Sequence, residues 1–239
     1  MKHPRAIICD VYKTILDVRE APADAEDRWQ TLCAGALGGA PALHLKELET
    51  QCRAIVSEDH VKARRRGIGY PEVHWPSVMK RALPALEAMP CDELDAFIFE
   101  HAQLSRTLRI MPGAGEVLRE CRQLGICLGI ASNAQAYTLR ELRSLLNESA
   151  LDPEIFAPDL TFWSFEHGFS KPDPHVFEIL RARLENRYIA SSETLMIGDR
   201  KDNDIQPARS VGWKTWQLSE ISDHSTRGDW RSLAQVLFK

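Results

Sequence analysis

The sequence predicts an α/β protein, a doubly wound parallel sheet into which an all-helical bundle is inserted. Near the start, Ala6-Ile7-Ile8-Cys9 is a short β-rich apolar run that stops at Asp10, as a buried strand does where it leaves a sheet. From Pro112-Gly113 onward, helical and strand signals alternate with brief loops, the pattern of a parallel sheet covered on both faces. Between these two regions, from Leu16 to about Arg106, only helical signals occur.

Within the insert, a first helix over 23–37 stops at Gly38-Gly39, a second spans 43–56, a third spans 71–86 with Pro71 in its first turn, and a fourth spans 91–104. Four amphipathic helices with short connections make a small bundle. The later series reads helix 114–124, strand 126–131, helix 135–146, strand 160–165, helix 174–184 and strand 194–197. It finishes with a short helix 205–210, a strand 214–218 and a C-terminal helix from 229. The first strand belongs with this series, since a lone strand has nothing else to pair with. The expected division is therefore residues 1–17 and 108–239 for the core, with 18–107 as the insert.

Composition narrows the partners. Lys+Arg 30 against Asp+Glu 34 gives a net charge of −4, and the only basic block runs from Lys62 to Arg66, so no nucleic-acid footprint is expected. A small molecule is the expected partner, and oligomeric state leaves no signal. Six cysteines are scattered without a C-x-x-C pair, as free thiols would be. Met1-Lys2-His3-Pro4-Arg5 leads into the first strand without a signal-peptide core, and no apolar run reaches the ~18 residues of a membrane span. A cytoplasmic protein without a membrane segment is expected. The eight histidines show no H-x-x-x-H spacing, which argues against zinc.

Four strand ends carry reactive groups: Asp10; Ser132-Asn133 after Gly129-Ile130-Ala131; Lys171 in Ser170-Lys171-Pro172-Asp173-Pro174; and Gly198-Asp199, followed by Asp202 and Asp204. In a parallel sheet the carboxyl ends of neighbouring strands share one edge, so these groups are expected to meet in one crevice. Bland readings stand beside this one. Asp199, Asp202 or Asp204 taken singly reads as a helix cap, and Asp173 reads as the cap of the next helix. The run from Lys62 to Arg66 reads as a solvated helix end, although one arginine there could reach a substrate anion. Trp29, Tyr70 and Trp75 read as core by default, with Trp75 also placed to face the crevice.

This ordered set resembles the haloacid dehalogenase (HAD) superfamily of aspartyl-nucleophile hydrolases. Asp10 to Leu16 resembles the first motif, Ser132 the second, Lys171 in Ser-Lys-Pro-Asp-Pro the third, and Gly198-Asp199-x-x-x-x-Asp204-Ile205 the fourth. The resemblance implies a Rossmann-like core, a helical cap formed by the insert, and a nucleophile at Asp10. Mg2+ is then the expected cofactor, with oxygen ligands from Asp10, Asp199 and the Tyr12 carbonyl, and from Asp204 directly or through water. Lys171 would neutralise nucleophile and transferring group together, while Thr14, Ser132 and Asn133 are the expected substrate-binding residues.

Two positions depart from the family. Phosphatases of the superfamily place an acid two residues after the nucleophile, where this chain has Tyr12, and Lys13 replaces a glycine usual at that turn. A phenol with an ordinary pKa of about 10 is a poor proton shuttle at neutral pH. The Asp-x-Tyr-x-Thr arrangement is similar to 2-haloacid dehalogenases, whose halide leaves without a proton, but these lack the acidic fourth motif present here. The expected function is Mg2+-dependent hydrolysis of a small phosphorylated metabolite, one with a good leaving group. The alternatives are metal-independent dehalogenation through an aspartyl ester and a catalytically silent binding protein.

Overall fold

The computed structural model describes residues 4–223 and 225–238. In chain order the elements are β1 (Ala6–Cys9), β2 (Leu16–Arg19), α1 (Ala25–Leu37), α2 (Leu45–Arg65), α3 (Trp75–Ala82), α4 (Cys91–Ala102) and β3 (Thr107–Ile110). They continue with α5 (Ala114–Gln123), β4 (Cys127–Ser132), α6 (Tyr137–Glu148), β5 (Thr161–Trp163), α7 (Ser164–His167), α8 (Pro174–Asn186) and β6 (Thr194–Gly198). The chain closes with α9 (Gln206–Ser210), β7 (Lys214–Leu218), β8 (Arg227–Gly228) and α10 (Trp230–Leu237).

Six strands form one parallel sheet in the order β5-β4-β1-β6-β7-β8, with helices on both faces. Strand alternation divides β1 between two cores. Ile7 and Cys9 join Val117, Leu118, Leu142 and Trp230 on one face, while Ala6 and Ile8 join Phe162, Phe177, Leu180 and Met196 on the other. A strand buried on both faces has to be apolar throughout, which is why Ala6-Ile7-Ile8-Cys9 carries no polar residue before Asp10. The register is level: Cys9 pairs with Ile130 on one side and Ile197 on the other. The residues that follow each strand therefore emerge at the same height, which sets the position of the site.

Helices α1 to α4 build a separate core around Trp29, Leu48, Met79, Leu86 and Phe97. Trp29 anchors it, with its ring edge-on to Phe97 at 5.8 Å and its indole N–H donating to the Leu43 carbonyl at 2.9 Å. No helix among the described residues is long and apolar enough to cross a membrane.

The insert is not purely helical at its borders. Strands β2 and β3 pair antiparallel, Leu16 opposite Ile110 and Arg19 opposite Thr107, so the chain leaves and re-enters the core through a two-stranded ribbon. Four-residue strands are too short to register as an alternation, and the partner of each lies about 90 residues away. The third helix also begins later than 71, at Trp75. Residues 71–74 run extended because Pro71 bridges to Phe169 of the core, and Leu83, at φ −134°, ends the helix before a short 3-10 turn at Pro84–Leu86. Helix α2 runs on past residue 56 to Arg65, its polar last turns carrying a Glu58–Lys62 pair at 2.6 Å. The expected strand 160–165 is shortened to Thr161–Trp163 by the turn α7, and β8 adds an edge strand the sequence pattern did not show.

Candidate active site

The level ends of β1, β4 and β6 present Asp10, Ser132 and Asp199 along one edge, and the loop before α8 brings Lys171 among them. The Lys171 ammonium, almost fully buried, donates to Asp10 Oδ1 at 2.8 Å and to Asp204 Oδ1 at 2.5 Å. Asp204 is fixed a second time, its Oδ2 accepting from the Arg200 backbone N–H at 3.0 Å. Gly198 makes this approach possible: a Cβ there would lie 2.4 Å from Asp204 Oδ2. Thr14 is buried with its hydroxyl 3.5 Å from Asp10 Oδ2. The Ser132 hydroxyl is buried at the end of β4 and meets no hydrogen-bonding group among the described residues.

Asn133 holds the lysine from behind. Its amide N–H donates to the Lys171 carbonyl at 2.8 Å and its Oδ1 accepts from the Lys171 N–H at 2.7 Å. The carboxamide expected to bind substrate is thus engaged by the backbone of Lys171, whose peptide bond to Pro172 is cis. Asp173 caps α8, accepting from the His175 N–H at 3.0 Å, and Asp202 pairs with Arg200 on the surface at 2.6 Å, so neither joins the buried cluster.

Charge is unbalanced here. Burial pushes the Asp10 carboxyl up, Lys171 pulls it back, and the negative charges of Asp204 and Asp199 push it up again, leaving it at about 6. Asp199 is raised by burial and by Asp204. Burial alone would lower the Lys171 ammonium, but Asp10 and Asp204 outweigh it and raise it, so the lysine is charged. Carboxylate oxygens of Asp10, Asp199 and Asp204 lie within 4.8 Å of one another. Hard oxygen donors carrying more negative charge than one ammonium offsets are the donor set that suits a divalent cation such as Mg2+.

Tyr12 turns away from this cluster into a second one. Its hydroxyl lies 2.7 Å from Thr138 Oγ1, donates to Glu141 Oε2 at 2.5 Å and accepts from Arg106 Nη2 at 2.9 Å. The Arg106 guanidinium also sits 4.8 Å above the Tyr12 ring and pairs with Glu141 at 2.9 Å, where Gln103 adds another donor. Burial, opposed by Arg106 and reinforced by Glu141, drives the Tyr12 phenol far above its ordinary range, so it stays protonated. Lys13, one residue on, adopts a left-handed backbone at φ 58°, which explains why glycine suits that turn.

Neither Arg106 nor Glu141 stood out in the sequence. A cue existed for Glu141: it lies on the apolar face of the 135–146 helix with Thr138 and Leu142, an acid where a core residue is expected. Glu72 was missed as well. It accepts from the Ser164 hydroxyl at 2.5 Å and from Gln135 Nε2 at 2.9 Å, while Ser170 N–H donates to the Tyr70 carbonyl at 2.9 Å. The insert is stapled through residues 70–72 to the segment that leads into Lys171.

The fold is thus a parallel, doubly wound sheet with a helical insert fastened near the carboxyl ends of its strands. A profile of the haloacid dehalogenase-like hydrolases matches residues 4–212, and the chain belongs to that family. It is 34% identical over 108 residues to glyceraldehyde 3-phosphate phosphatase of Pyrococcus abyssi, a match covering 45% of this chain and 42% of that protein. It is 32% identical over 124 residues to ribulose-1,5-bisphosphate 5-phosphatase of Halopiger xanaduensis, covering 51% and 48%. The chain therefore spans about half the length of the curated relatives it matches. Among solved structures, a 2-haloacid dehalogenase from Pseudomonas syringae superposes with a TM-score of 0.59 at 19% identity, over 97% of this chain and 98% of that one. The magnesium-bound HAD-hydrolase YfnB from Bacillus subtilis does so with 0.55 at 22%, over 99% of both. At these identities the two structures share the fold.

Proposed function

We propose that the chain is a Mg2+-dependent phosphohydrolase that acts through Asp10 on a small phosphorylated metabolite. The observation that carries this reading is the convergence of Asp10, Asp199 and Asp204, the first and last of them sharing one lysine, an acidic excess that a dianionic phosphoryl group could approach only beside a cation. Asp10, Asp199 and the Tyr12 carbonyl would hold Mg2+, with Asp204, already engaged by Lys171 and the Arg200 N–H, as a further ligand or an orienting acid. When bound, the ion supplies charge neutralisation at the attacking carboxylate and the transferring group.

The chain's own residues supply the rest. Asp10 Oδ2, opposite the oxygen held by Lys171, forms a bond to phosphorus as the ester P–O bond breaks, leaving an aspartyl phosphate that water then hydrolyses. The unpartnered Ser132 hydroxyl and Thr14 hold equatorial oxygens, and Asn133 positions Lys171. The insert 18–107 acts as the cap and the β2–β3 ribbon as its hinge. With the phenol of Tyr12 locked to Arg106 and Glu141, no group two residues from Asp10 protonates the leaving oxygen, so an acyl or aryl phosphate is the favoured substrate class. The named activities of the archaeal relatives support a small phosphorylated substrate.

The test is hydrolysis of acetyl phosphate and p-nitrophenyl phosphate by the full-length protein with MgCl2, against EDTA and against Asp10→Asn. Turnover lost in both controls supports the reading; equal rates on alkyl and aryl phosphates would sink the leaving-group argument. Tyr12 itself favours a second reading, dehalogenation. Chloride release from 2-chloropropionate in EDTA would establish it in place of the first. A fluoroberyllate adduct on Asp10 would rule out an inert binding protein.

A further inference from the structure

The backbone of residues 70–72 already ties the insert to the core. Glu72 N–H donates to the Gly168 carbonyl at 3.0 Å, and the Tyr70 carbonyl accepts from Ser170 N–H at 2.9 Å. The Glu72 side chain reaches a different segment. One carboxylate oxygen accepts from the fully buried Ser164 hydroxyl at 2.5 Å, and the other accepts from Gln135 Nε2 and from the Val73 N–H, each at 2.9 Å. A carboxylate suits this place because it offers two acceptor oxygens and no competing donor. Ser164 passes the contact on. Its single proton goes to Glu72, so its oxygen accepts from the Ala134 N–H at 2.9 Å. The Ala134 carbonyl lies 3.2 Å from the same hydroxyl, so the carboxylate decides which way that proton points. Ala134 and Gln135 directly follow Asn133, whose carboxamide grips both the N–H and the carbonyl of Lys171. Residues 70–72 therefore hold both loops that meet at Lys171, the 168–170 segment by their backbone and the 133–135 turn through Glu72.

We propose that Glu72 is a positioning residue for Lys171: through Ser164 and Ala134 its carboxylate holds Asn133 where that residue clamps the lysine between Asp10 and Asp204. The lysine is then fully placed only with the insert seated on the core, and Glu72 is the side chain that carries the seating to it. Displacing a charged group by about 1 Å costs on the order of 10²-fold in rate. Both Glu72 oxygens are spent on Ser164, Gln135 and Val73, so neither is directed to a substrate, and the loss on removing them falls on kcat rather than KM. That consequence for turnover rests on the phosphohydrolase reading, whereas the hydrogen-bonded clamp does not.

Amide hydrogen exchange in the full-length protein, followed by NMR, tests the clamp without relying on any hydrolytic activity. In Glu72→Ala the Lys171 N–H, which Glu72 does not touch, is expected to exchange about tenfold faster together with the Ala134 N–H, while Ile8 and Met196 in the central strands keep their rates. Glu72→Gln, which keeps one acceptor oxygen, is expected to fall between the two. Thermal melts check that each variant folds, and Glu72→Gln carries the test if Glu72→Ala does not. An unchanged Lys171 N–H in a folded variant overturns the proposal. With p-nitrophenyl phosphate and MgCl2, Glu72→Ala is expected to lower kcat about thirtyfold with KM held within about threefold. A double variant with Asn133→Ala should then be no more than about threefold slower than Asn133→Ala alone, because both changes act on the same lysine. Effects that multiply in full would place the action of Glu72 elsewhere and overturn the proposal. If no phosphate ester is turned over, the proposed phosphohydrolase function falls while the Lys171 exchange rate still decides the role of Glu72.

Discussion

Asp10 and Tyr12 stand two residues apart, yet they belong to buried clusters built on opposite principles. Around Asp10, three carboxylates face one ammonium, and two of those acids are pushed above their ordinary range. Around Tyr12, one guanidinium meets one carboxylate, with Thr138 and Gln103 completing the hydrogen bonds. The second cluster is closed in charge: the Arg106 guanidinium and the Glu141 carboxylate cancel, with Arg106 Nε the donor left over. The first retains unspent negative charge and an unpartnered Ser132 hydroxyl. A buried cluster that balances serves the fold, whereas one left unbalanced is arranged for something that arrives later.

The largest expected effect breaks the open cluster. Asp10→Asn keeps the shape and removes the proposed nucleophile, so phosphate release with MgCl2 should fall by about 10³-fold or more, with the melting temperature held or raised as a strained carboxylate is lost. The closed cluster should respond the other way. Glu141→Met leaves the buried Arg106 charge without its partner and should cost about 3 kcal/mol or more in urea unfolding, while the rate per folded molecule stays within about threefold.

A third effect comes from Arg106 reaching beyond its cluster. Burial and the Arg106 charge lower His101 from 6.5 to about 4, so the unfolded chain binds a proton between those pH values that the folded chain refuses. Stability is complete above pH 6.5 and declines as pH falls toward 4, by on the order of 3 kcal/mol at full extent. Urea midpoints measured across that range should show the decline in the native protein and a smaller one in His101→Phe. The smallest effect is that of Tyr12→Phe, which removes one hydroxyl from a network that otherwise persists. About 1–2 kcal/mol of stability and less than about tenfold in kcat are expected, with no shift of either limb of the pH–rate profile. A lost limb would show Tyr12 shuttling protons and would erase the contrast between the clusters.

The open cluster was legible in the sequence and the closed one was not, for a physical reason. Each reactive group of the first lies just beyond a short apolar run, and parallel strands must end on a common edge, so the sequence pattern alone groups Asp10, Ser132 and Asp199. The second is assembled from the return strand's approach and the inner face of α6, positions joined only by packing. Tyr12 belongs to both: its place in the chain marked it as the anomaly, while the direction of its side chain depended on Arg106, 94 residues away.

The sequence by itself determined the parallel sheet, the helical insert and the order of reactive strand ends, because strand length, helical periodicity and chain connectivity are local properties. Only the tertiary structure decided what Asn133 and Tyr12 face, and that residues 70–72 staple the insert to the segment before Lys171. These depend on where side chains from distant segments meet, and hydrogen-bond partners of that kind are chosen by packing rather than by sequence spacing.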